Sequence, residues 1–138
     1  MNANLEQPGS AASAARKKVL VIDDELGPRE SLRFTLKNDY EVLCVDNVDS
    51  GLALLRRDKP DLVIMDIRMP GKSGIQGLRE LREIDTLTSV VMLTGFGALE
   101  TAQEALRLGA NDYINKPFDT MEIKALVGRF TQRSIMER

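Results

Sequence analysis

Four short stretches of this 138-residue chain end apolar runs with side chains that suit one kind of reaction. Asp23-Asp24-Glu25 follows Val19-Leu20-Val21-Ile22, and Asp66 follows Leu62-Val63-Ile64-Met65. Thr94-Gly95 follows Val90-Val91-Met92-Leu93, and Lys116-Pro117 comes just after Tyr113-Ile114. Carboxylates held close together repel one another and call for a cation. Mg²⁺ suits them, because it takes oxygen ligands, uses one or two carboxylates and keeps several waters. A carboxylate can also attack phosphorus and form an acyl phosphate. Phosphoryl transfer asks mainly for alignment and charge neutralisation. An ammonium such as Lys116 and a hydroxyl such as Thr94 can supply part of that neutralisation.

Taken singly, each group has a plainer reading. An acid after a strand is often a helix cap or a loop charge. Thr94 alone reads as a strand-end hydroxyl bonded to backbone, and Lys116 as a solvated charge. The weight lies in their joint placement, which depends on the elements that carry them. The apolar runs are short and rich in β-branched residues, as buried strands are: Val19–Ile22, Val42–Val45, Leu62–Met65 and Val90–Leu93, with a weaker fifth at Tyr113-Ile114. Near-continuous apolar strands suit a parallel sheet covered on both faces.

Helical stripes lie between the strands. Leu32 and Leu36 share a face, with Pro28 in the first turn. Leu52 and Leu55 precede the stop at Pro60, and Ile75, Leu78 and Leu81 form a third stripe. Ala98, Ala102, Ala105 and Leu106 form a fourth, ended by Gly109 as a left-handed cap. Asp119 and Glu122 are spaced as a capping-box pair ahead of Ile123, Leu126, Val127 and Phe130. The alternation predicts an α/β fold, (βα) five times over, with a doubly wound parallel sheet. Such sheets bind ligands outside the carboxyl ends of their strands. Asp23, Asp24, Asp66, Thr94 and Lys116 are therefore expected on one edge.

Composition narrows the classes further. The net charge of −2 argues against a nucleic-acid surface, and the single cysteine, Cys44, excludes an internal disulfide. No histidine is present, which removes Ser-His-Asp and Cys-His catalysis and any phosphohistidine on this chain. No apolar run is long enough to span a membrane, and a cytoplasmic location is expected. Residues 1–16 read as a disordered tail, with the basic cluster Arg16-Lys17-Lys18 in the wrong order for a secretory leader, and residues 17–138 as one domain.

The stretches Val19-Leu-Val-Ile-Asp-Asp-Glu25, Leu62-Val-Ile-Met-Asp-Ile-Arg-Met-Pro-Gly71, Met92-Leu-Thr-Gly95 and Gly109-Ala-Asn-Asp-Tyr-Ile-Asn-Lys-Pro-Phe118 resemble the receiver domain of two-component response regulators. The resemblance implies a flavodoxin-like three-layer sandwich with sheet order 2-1-3-4-5. It implies that Asp66 is the phosphoacceptor. Asp24 would ligate Mg²⁺ directly, Asp23 through water, and Arg68 through its backbone carbonyl, with Asp66 completing the metal site. Thr94 and Tyr113 match the family's switch pair, Lys116 its phosphate-binding lysine, and the bond before Pro117 is expected cis. The implied partner is a sensor histidine kinase or a histidine phosphotransfer protein. The implied output is a changed face formed by the fourth helix, fifth strand and fifth helix, through which a homodimer is also expected. Such a domain catalyses its own phosphorylation and slow dephosphorylation and does not turn over an external substrate.

Alternative readings fit less well. A dehalogenase-type phosphatase resembles Asp-x-Asp, but position 68 is Arg. Gly71-Lys72-Ser73 looks like the end of a phosphate-binding loop, but the glycine required five residues before the Gly-Lys pair is Asp66. A receiver-like domain that only binds partners would lack one of the acids or the lysine. Arg68 and Phe96 are expected to border the site and tune water access. The stretch Thr94 to Ala110 is similar to receivers that control sigma-54-dependent transcriptional activators. With the chain ending at Arg138, a stand-alone regulator or an excised domain is expected.

Overall fold

The β-branched runs extend because each has hydrogen-bonding neighbours and apolar cover. The computed structural model describes residues 16–95 and 98–136, with side chains described as far as residue 132. The strands are β1 (Lys18–Ile22), β2 (Glu41–Val45), β3 (Leu62–Asp66), β4 (Ser89–Thr94) and β5 (Asp112–Asn115). The helices are α1 (Leu26–Leu36), α2 (Val48–Asp58), α3 (Gly74–Ile84), α4 (Leu99–Arg107) and α5 (Thr120–Met136). All the strand pairs are parallel and the order is β2-β1-β3-β4-β5, as the resemblance implies.

Side chains alternate across the central strands and build two cores. Leu20, Ile22, Val63, Met65, Val90 and Met92 meet Val48, Leu52 and Leu55 of α2, Leu78 and Leu81 of α3, and Ala102 and Ala105 of α4. Val19, Val21, Leu62, Ile64, Val91, Leu93 and Ile114 meet Leu32 and Leu36 of α1 and Ile123, Leu126, Val127 and Phe130 of α5. Each fully buried Leu or Ile contributes on the order of 2–3 kcal/mol relative to exposure. The central strand β3 is buried throughout, whereas β2, at the sheet edge, is only half-buried.

The helix ends follow local chemistry. Asn47 and Ser73 cap α2 and α3 by accepting from the N–H groups of Ser50 and Gln76. Lys59 closes α2 at φ 49°, ψ 63°, and Pro60 prevents continuation. Gly109, at φ 111°, ends α4, with its N–H donating to Leu106 O and that of Ala110 to Ala105 O. The Asp119 carboxylate caps α5 through the N–H of Met121 (2.9 Å), one residue earlier than the capping-box spacing predicts. Residues 1–15, most of the expected tail, lie outside the described residues, while Arg16 donates to Lys37 O at 3.1 Å. Among the described residues no helix is long and apolar enough to cross a membrane.

Candidate functional site

The sheet delivers Asp23, Asp66, Thr94 and Lys116 to the carboxyl edge at the ends of β1, β3, β4 and β5. Asp23 is fully buried, Asp66 is 4% exposed and Thr94 1% exposed. Carboxylate oxygens of Asp23, Asp24 and Asp66 lie within 4.8 Å of one another. Lys116 Nζ reaches into this cluster, 3.0 Å from Asp23 Oδ2, 3.2 Å from Asp66 Oδ2 and 2.8 Å from Glu25 Oε1.

Backbone bonds hold these groups in place. Asp23 Oδ1 accepts from Glu25 N (2.9 Å), and Arg29 Nη1 donates to Asp23 O (2.8 Å). Asp66 Oδ1 accepts a long bond from Arg68 N (3.4 Å). The loop after Asp66 is fixed by Ile67 N to Leu93 O and Gly74 N to Ile67 O. Lys116 N donates to Thr94 O at 2.8 Å, so the hydroxyl and the ammonium share one rung of backbone. The Lys116–Pro117 bond is cis.

The electrostatics follow from crowding. Burial, with the Asp23 carboxylate beside it, pushes the Asp66 carboxyl up to about 6, against the opposing pull of Lys116. For Lys116, burial opposes the charge, but the hydrogen bond it donates to Glu25 and the nearby carboxylates of Asp23 and Asp66 outweigh it and raise its basicity. Glu25 is held below the usual carboxylate range by its hydrogen bond to Lys116.

The three aspartates fit a hard divalent cation. Asp24 Oδ1 is buried with no hydrogen-bond partner, and Asp23 Oδ2 pairs with Lys116 by charge without forming a hydrogen bond. Orphaned buried carboxylate oxygens cost free energy unless something positive meets them. Ligands at about 2.1 Å from Mg²⁺ stand at most about 4.2 Å apart, close to the spread of these oxygens.

The remaining expected residues fall nearby. Thr94 donates to Gly95 O (3.3 Å) and pairs in register with Asn115. Tyr113 pairs with Met92, two residues earlier on each strand, so Thr94 and Tyr113 are diagonal neighbours on one face of the sheet. Tyr113 is half-buried and packs against the α2–α4 core. Arg68 is exposed and, with Gly95, Ala98 and Thr101, lines a cavity of about 240 Å³ beside the site. Phe96 lies outside the described residues. Sequence reasoning gave no role to Glu25, Arg29 or Gly74. Glu25 adjoins the acid pair, and Arg29 sits on the first turn that follows. Gly74 opens α3 where a Cβ would clash with the backbone of Asp66.

The model of the response regulator receiver domain matches residues 19–128. The regulatory protein AtoC of Escherichia coli (strain K12) is 41% identical over 126 residues, which span 90% of this chain and 27% of AtoC. Sporulation initiation phosphotransferase F of Bacillus subtilis (strain 168) is 34% identical over 115 residues, 83% of this chain and 93% of that protein. A solved receiver domain protein from Clostridium thermocellum superposes with a TM-score of 0.82 at 33% identity, covering 88% of this chain and 99% of that one. With the sheet order, the acidic edge and these likenesses in agreement, the chain belongs to the receiver domain family of two-component response regulators.

Proposed function

We propose that Asp66 accepts a phosphoryl group from a partner phosphohistidine in a Mg²⁺-dependent reaction, and that residues 17–138 act as one switching unit. The observation that carries this reading is the buried Asp66 carboxylate with Lys116 Nζ at 3.2 Å and the orphaned Asp24 oxygen beside it. One Asp66 oxygen forms a bond to phosphorus as the donor's P–N bond breaks, and the departing imidazole takes up a proton. Asp23, Asp24, Asp66 and the Arg68 carbonyl would hold Mg²⁺, which neutralises phosphoryl oxygens when bound. Lys116 would meet another phosphoryl oxygen, and Thr94 would donate its hydroxyl to one in place of Gly95 O. Tyr113, on the same face, would follow Thr94 and reshape the α4-β5-α5 surface.

The partner is a histidine kinase or histidine phosphotransfer protein, since this chain has no histidine of its own. Phosphorylation would favour a homodimer through the α4-β5-α5 face. The likeness to AtoC supports a regulatory output, of the sigma-54-dependent type that the Thr94–Ala110 stretch resembles. The domain acts in the cytoplasm as a switch, without turnover of an external substrate.

Intact mass after incubation with acetyl phosphate and Mg²⁺ tests this reading. A single phosphoryl adduct is expected on the wild type and is absent without Mg²⁺ or in Asp66→Asn. An adduct that survives in Asp66→Asn would refute the acceptor.

A further inference from the structure

The shortest contact of Lys116 is not to a buried aspartate but to Glu25 at the rim, at 2.8 Å. Glu25 stands at the N-cap position of α1, yet its side chain makes no capping bond there. Its backbone is fixed: its N–H donates to Asp23 Oδ1 at 2.9 Å, and its carbonyl accepts from Arg29 N at 3.2 Å. The carboxylate is thus directed across the site opening, and its side chain is 60% exposed while that of Lys116 is 14% exposed.

The three partners of Lys116 differ in how readily they release it. Asp23 is fully buried, and leaving a buried charge unpaired is costly. Glu25 faces water and loses little when the pair opens. An incoming phosphoryl group brings about two negative charges and three acceptor oxygens to Asp66. It competes with Glu25 for the same ammonium and repels the Glu25 carboxylate.

Building on the Asp66 phosphorylation proposed above, we infer that Glu25 is a positioning residue that restrains Lys116 at the rim of the resting site. It releases the ammonium when the phosphoryl group arrives and thereby slows phosphoryl uptake. Its negative charge at the entrance also opposes the approach of an anionic donor.

Phosphorylation of wild type and Glu25→Gln by acetyl phosphate, at saturating Mg²⁺ and low salt, tests the restraint. Glu25→Gln should acquire the adduct about threefold or more faster, and the ratio should shrink toward one at high salt, because the lost interaction is exposed and screened. Equal rates, a slower variant or a ratio indifferent to salt would overturn the inference. A wild type that takes no phosphoryl group would instead refute the phosphorylation reading. Brief acetylation with acetic anhydride, read by peptide mass, then still decides about Glu25. Faster modification of Lys116 in Glu25→Gln supports the restraint, and equal modification overturns it.

Discussion

Gly74 lies directly against the backbone of Asp66: a Cβ at position 74 would collide with the Asp66 carbonyl oxygen and stand 2.7 Å from Ile67 Cα. The neighbours are backbone, so nothing flexible can yield. Gly74→Ala is therefore expected to cost about 2 kcal/mol or more and to shift the loop that carries Asp66 and Arg68. Gly128→Ala provides the contrast, since a Cβ there meets nothing within 4 Å. In the interior of α5 it should stabilise by up to about 1 kcal/mol. Urea unfolding of both variants beside the wild type checks the pair.

The Asp66 carboxyl makes stability depend on pH. Its folded value of about 6 lies above the ordinary 3.8, so in that window the folded state holds a proton that the unfolded state has released. The contribution of Asp66 to stability is then fully present below the ordinary value and is lost as pH rises through the folded one. Asp66→Asn removes this loss and is expected to be more stable than the wild type by about 1–2 kcal/mol at pH 7.5 without divalent cation. The gap should close near pH 4. Thermal melts across pH, in chelator, measure it.

Arg82 fastens α3 to the α4–β5 connection. Its guanidinium donates to Gly109 O at 3.1 and 2.8 Å, to Asp85 O at 3.1 Å and to Asn111 Oδ1 at 3.3 Å. Asn111 Oδ1 also accepts from Val90 N at 2.8 Å, so the connection is tied to β4 as well. Arg82→Ala should cost about 1–3 kcal/mol, and Arg82→Lys should recover only part, because an ammonium cannot span the fork. Denaturant midpoints of the two variants test this.

Lys59 ends α2 in the left-handed region at φ 49°, where a side chain is crowded. Lys59→Gly removes that crowding and is expected to stabilise by about 0.5–1 kcal/mol, with Lys59→Val moving the other way. A shift of the thermal midpoint in opposite directions is the expected pattern.

The strand ends were legible because a polar residue directly after a buried apolar run is forced to the sheet edge. That rule alone puts Asp23, Asp66 and Thr94 on one edge. The fifth strand was weaker because it is only four residues long and its Asp112 and Asn115 carry no apolar signal. The Glu25–Lys116 contact joins residues 91 apart in sequence, and an exposed acid imposes no periodicity that would reveal it. Gly74 was silent because a missing side chain shows its purpose only when the backbone it touches is known. Lys72, in the Gly71-Lys72-Ser73 stretch, pairs with Asp49 at 2.8 Å and Glu80 at 3.0 Å.

Helix α4 follows Thr94, and the buried residues it contributes are Ala102 and Ala105. Its larger apolar side chains, Leu99 and Leu106, are 55% and 39% exposed, and Ala98 supplies no side-chain cap. Methyl groups bury little area, so this helix is held to the sheet by only a small share of the hydrophobic free energy that secures α2 and α3. Local opening of α4 is therefore expected to cost less free energy than opening of α2 or α3. Its amides should exchange with solvent ahead of those in β3.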